Sequence, residues 1–177
     1  MSRMKSFLIG AGALAAGLMG LAPALAQTSA LKGHNSNAPV DVAADRIEVQ
    51  DRADRAIFSG DVVVKQSDLT LSAPRLTVAY SNAGGIEIER IDASGGVTVR
   101  SPSETARGQY AIYDLDSRLI TLVGGVTLIR GESRVNGGRL VIDLTSGRAV
   151  MEGGAPAGVG GGNGRVTGTF TVPQRSE

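Results

Sequence analysis

The residue types that usually carry chemistry are scarce in this chain. His34 is the only histidine and there is no cysteine. His34 stands in the polar stretch QTSALKGHNSNA (27–38), where a lone histidine reads as a solvated loop residue. With that composition, zinc sites and Cys/His or Ser/His nucleophile systems are not available. Carboxylate pairs are the remaining option. Asp114 with Asp116, and Glu89 near Asp92, fall in turn-like stretches, where acidic residues serve turn geometry. The run GGGNGR (160–165) has neither the Gly-Lys-Ser/Thr ending of a phosphate loop nor a helical pattern after it. It also lacks the aspartates of calcium-binding glycine repeats. The chain therefore reads as a non-enzyme with no cofactor and no metal.

Charge narrows the class further. Eighteen Lys and Arg face seventeen Asp and Glu, which argues against nucleic-acid binding, since that normally needs a basic surface. Residues 1–26 read as a secretory signal. Arg3 and Lys5 precede an uncharged apolar run that ends in Ala24-Leu25-Ala26, an A-x-A cleavage site before Gln27. An uncleaved membrane anchor is the competing reading of this segment. With no cysteine after the site, a lipoprotein anchor is excluded, and no disulfide can support the exported chain.

What must position any functional group is a set of β-strands. From Pro39 the apolar residues alternate with period two, as in Val40/Val42, Phe58/Val62/Val64, Leu69/Leu71, Leu76/Val78, Leu122/Val126 and Leu140/Ile142. YAIYD (110–114) is read with Tyr110 and Ile112 on the buried side. DRADR (51–55), SNAGG (81–85), DLDS (114–117), RGES (130–133) and TSG (145–147) supply turns. One motif then recurs: IFSGDVVV, DASGGVTV and TLVGGVTL, with a degenerate copy in AVMEGGAP. Its glycines Gly60, Gly95 and Gly124 lie 35 and 29 residues apart. Glycine weakens a strand interior, so its repetition predicts a bend or bulge at the same corner of successive layers. The expected organisation is a flexible lead-in at 27–38, an all-β domain at 39–152, and a Gly-rich, mostly disordered tail at 153–177, in which 166–174 is the one candidate for a further strand.

The segment from Ala38 to Tyr80 resembles the LptA/OstA-like family of periplasmic lipopolysaccharide-transport proteins. The resemblance rests on Pro-apolar-x-apolar-x-Ala/Ser-Asp (Pro39 to Asp45), apolar-x-Gly-Asp-Val (Phe58 to Val62) and Ala-x-x-apolar-x-Val (Ala73 to Val78). It extends over about 39–152, with a later half that is more glycine-rich than the family pattern. The resemblance implies a twisted, slot-like β-jellyroll whose apolar groove holds the acyl chains of lipopolysaccharide. Val40, Val42, Phe58, Val62, Val64, Leu69, Leu71, Leu76, Val78, Ile112, Leu122, Val126, Leu140 and Ile142 are the expected groove residues. It also implies a bridge in the Gram-negative periplasm between an LptC-like inner-membrane subunit and an LptD-like outer-membrane translocon, with copies joined head to tail. Two alternatives stand beside this: an LptC-like subunit kept at the inner membrane by its uncleaved N-terminus, and a structural β-repeat surface protein with a dry core.

Overall fold

A computed structural model describes residues 34–154 and 164–171. The expected signal at 1–26, the start of the lead-in, and 155–163 and 172–177 in the tail lie outside the described residues. Ten strands follow one another: β1 (Asp41–Ala43), β2 (Arg46–Gln50), β3 (Arg55–Gln66), β4 (Leu69–Ser81), β5 (Glu87–Arg100), β6 (Glu104–Asp114), β7 (Leu119–Arg130), β8 (Ser133–Asp143), β9 (Arg148–Glu152) and β10 (Thr167–Thr169). All pairings are antiparallel, and β3 to β8 each pair with the next strand in sequence. Five of the turns between them coincide with the punctuation read from the sequence, while the tight turns at 67–68 and 101–103 are not among the expected ones.

Every long strand is broken at one corner. The register shifts between Ser59 and Val62, Ser94 and Val97, and Val123 and Val126. The residues in these gaps are Gly60-Asp61, Gly95-Gly96 and Gly124-Gly125. All six have positive φ, from 38° at Asp61 to 98° at Gly96, a region that L side chains rarely occupy and glycine tolerates. The intervening strands place a single residue opposite each pair: Pro74, Gln109 and Gly138. The repeated Gly-x motif is thus the corner of successive layers.

The corner divides each layer into two arms. β1 and β2 both pair with β3, one with residues 63–65 and the other with 55–59, so together they form one layer bent at Ala44-Asp45. There Asp45 N–H donates to Gly60 O at 3.0 Å. At the far end β9 covers β8 residues 139–143 while β10 covers 134–136, a last layer split at Gly153-Gly154. Part of the expected disordered tail is therefore a strand, because Thr167–Thr169 complete the arm that β9 leaves uncovered. The result is eight layers folded into a V, with apolar side chains packed between the arms. Leu76, Ile120, Leu122 and Leu140 have no accessible surface there.

Candidate functional site: the slot between the arms

Cross-strand register resolves the inner faces into rows. One arm carries Phe58, Leu76, Ala93, Ala111, Leu122, Leu140 and Met151 nearest the corner. The next row is Ala56, Val78, Ile91, Tyr113, Ile120, Ile142 and Ala149. The other arm carries Val62, Ala73, Val97 and Val126 near the corner. Beyond them run Val64, Leu71, Val99, Ala106, Leu128 and Val135. Alternation aims every second residue at the space between the arms. Stacking then makes each row continuous through the molecule.

Ten of the fourteen expected groove residues are buried on these inner faces: Val62, Val64, Leu69, Leu71, Leu76, Val78, Leu122, Val126, Leu140 and Ile142. Val40, Val42 and Phe58 are partly buried and pack against them. Ile112 is the exception. Its strand aims Ala111 and Tyr113 inward, at 1% and 2% exposure, so Ile112 belongs to the opposite face. YAIYD is apolar at both parities, and the neighbouring layers decide the register: Ala111 fits between Ala93 and Leu122, and Tyr113 between Ile91 and Ile120.

At the rim the two arms differ. One lip is formed by Tyr80, Ile88, Leu115 and Leu144, largely apolar. The other is mostly polar: Gln66, Leu69, Ser101, Glu104, Arg130 and Ser133 follow one another in register. The Glu104 carboxylate, buried at 3% side-chain exposure, accepts from the Arg130 guanidinium. Ser101 Oγ is buried without a hydrogen-bond partner among the described residues. Between the arms near this lip lies a cleft lined by Val99, Ser101, Glu104, Ala106, Leu128 and Ile142. It has room for about one water.

Two readings of reactive residues change. His34 is not a solvated loop residue: its side chain is fully buried. Its partners are Gln66 and Asp68, more than thirty residues away, which no local pattern would reveal. The lead-in is likewise docked rather than flexible over residues 34–38. Asp114 serves a turn as expected, its Oδ1 accepting from Ser117 N–H at 2.7 Å, but Glu89 and Asp92 lie within strand β5 rather than in a turn, where Asp92 pairs with Arg90 at 2.7 Å. Burial raises Tyr113 above the ordinary tyrosine value, against opposing effects of Ser36 and Arg118, which keeps its hydroxyl a donor.

With that geometry in view, the relatives are informative. The sequence profile of the family described as "LptA/(LptD N-terminal domain) LPS transport protein" matches residues 41–148. The chain belongs to this family of lipopolysaccharide-transport proteins. An uncharacterised protein of Rhizobium meliloti strain 1021 is 31% identical over 159 residues, 85% of this chain and 86% of that one. The crystal structure of LptH, described as the LptA-homologous periplasmic component of the lipopolysaccharide transport device of Pseudomonas aeruginosa, superposes with a TM-score of 0.70. It covers 78% of this chain and 99% of that chain at 19% identity. The LptA-like β-jellyroll fold is thereby shown.

Proposed function

We propose that this chain is a periplasmic lipopolysaccharide carrier that holds acyl chains between its two arms and passes them along a row of copies. The carrying observation is the set of continuous apolar inner rows, with exposed apolar side chains at the first and last layers among the described residues. Ile47 and Val49 extend them in the first layer, paired with Phe58 and Ala56, yet each is 57% exposed. At the other end those rows finish at the partly buried Met151 and Ala149, and on the other arm Phe170 lies beside Gly168 and is 68% exposed.

Strand direction supports head-to-tail joining. Eight layers are an even number, so the first layer of a second copy would run antiparallel to the last layer of the first. β2 would then lie along β9, and β1 along β10. Among the described residues both edges lack a strand partner, and strand addition would satisfy their backbone groups while covering Ile47 and Val49. The same edges suit an LptC-like subunit on one side and an LptD-like domain on the other.

Affinity must allow hand-off. Each buried methylene is worth about 0.8 kcal/mol, so enclosing a whole multi-chain lipid would hold it too tightly to pass on. The narrow cleft suits partial enclosure, with the arms parting to admit a chain. The nearly solid packing beside the corner, at Val62 and Leu140, belongs to the fold; the lip side, at Leu128 and Val99, belongs to the cargo.

Photo-crosslinking in cells tests the proposal. A photoreactive residue replacing Leu128 should give lipopolysaccharide adducts, and one replacing the outward-facing Thr77 should give none. Folded, exported protein without an adduct at Leu128 would favour the structural β-repeat reading. A mature N-terminus at Gln27 would separate the soluble carrier from an LptC-like anchored subunit.

A further inference from the structure

Residues 34–38 cross the open side of the slot as a strap. The strap makes its own turn: Ser36 N–H donates to His34 O and Ala38 N–H to Asn35 O, both at 3.1 Å. Its contacts reach both arms. From the polar lip, the Gln66 amide donates to Ser36 O at 2.9 Å and to Ala38 O at 3.0 Å. The arms also meet directly, the Tyr113 hydroxyl donating to Gln66 Oε1 at 2.8 Å. Arg118, in the turn after β6, reaches Asn37 Oδ1 at 3.4 Å.

His34 is the anchor. Its Nδ1 lies 3.0 Å from Asp68 Oδ1 and its Nε2 lies 3.2 Å from Gln66 Oε1. Both protons of the Gln66 amide are committed to backbone carbonyls, which fixes Oε1 towards the ring. Each ring nitrogen therefore faces an oxygen partner, the Asp68 carboxylate beside Nδ1 and the Gln66 amide beside Nε2. Asp68 is 41% exposed, so the anchor is closed off from water on one side only.

We infer that the strap is a displaceable cover, lying over the mouth at β3 to β6 in the place an acyl chain must take. Strap release and cargo entry are then one event. The physical reason is an exchange of partners. The strap is held by polar hydrogen bonds whose groups water satisfies once they are free, so each contributes little net. The inner-face neighbours of Gln66 and Tyr113 are apolar: Val64, Leu69 and Leu71 on one arm, Ile91 and Ile120 on the other. Their exposure disfavours release in water, and an acyl chain covering them removes that cost. The cover therefore keeps an empty slot out of water and yields to cargo. This inference rests on the carrier reading above.

The experiment uses the mature chain with a nitroxide attached through Asn37→Cys, the protein having no other cysteine, and purified lipopolysaccharide as probe. Lipid should mobilise the label in step with binding. His34→Ala and Asp68→Asn, neither of which lines the slot, should mobilise it without lipid. Both should also tighten lipid binding about tenfold, the value of roughly one net hydrogen bond. Lipid that binds while the label stays immobile would overturn the strap inference and leave the carrier standing. So would variants that free the label without tightening binding, or that leave it immobile. No lipid binding by the parent or by variants with a freed label would overturn the carrier reading, and this inference with it.

Discussion

The ring of Pro74 lies across Gly95: a Cβ added to Gly95 would come 3.2 Å from Pro74 Cγ, and the backbone there has φ near +92°. Asp45 crowds Gly60 in the same way one corner earlier. The corner is therefore a glycine requirement set by two causes, backbone conformation and the residue in the next layer. Gly95→Ala should destabilise the fold by about 1–3 kcal/mol, read as a lower urea midpoint with an unchanged m-value. Gly84→Ala, in an open turn with nothing within 4 Å, is the matched control and should shift the midpoint little.

Packing beside the corner should behave as core. Leu122 is fully buried between Ala111 and Leu140. Leu122→Ala should cost about 2–5 kcal/mol in chemical denaturation, with lipid crosslinking at Leu128 retained under conditions where the variant is folded.

The ends should behave as interface. Ile47 and Val49 are already more than half exposed, so replacing either with lysine should change stability by no more than about 0.5 kcal/mol. The same substitutions should reduce end-to-end complexes, because a charge on the inner row would be buried by the next copy. Light scattering across a concentration series reads the difference. Undiminished assembly would remove β2 from the interface.

Acid should weaken the turn between β8 and β9. Asp143 Oδ1 accepts from Ser146 N–H at 3.0 Å and Thr145 N–H at 2.8 Å. Its carboxyl is held below the ordinary value of 3.8, chiefly by the bonds from Ser146. A depressed folded value means the stabilisation is complete above the ordinary pKa and is lost as pH falls through the lowered one. The stability gap between the parent and Asp143→Ala should therefore be constant near neutrality and close at strongly acidic pH. A gap that stays open in acid would assign the effect to packing.

The strands, most of the turns and the corner were legible in the sequence because each is local. Alternation needs only a handful of consecutive residues, and a glycine pair announces its own backbone conformation. Ile112 was misplaced because its strand offers apolar side chains at both parities, and only the neighbouring layers choose between them. His34 was misread because its meaning depends on Gln66 and Asp68, which reach it only after the chain has folded back. The exposure of Ile47 and Val49 was equally invisible, since they carry the pattern of a buried strand at a place where the stacking stops.

The alternation of two-residue and one-residue corners also fixes how such a molecule can change in length. A single added strand would set one glycine pair against another and leave the last strand pointing the wrong way to receive a following copy. A hairpin added between β3 and β8 preserves both the corner and the polarity of the end. The unit of growth is therefore two strands. Relatives of different reach should differ by whole hairpins, and a designed version could be lengthened in the same steps without redesigning either end.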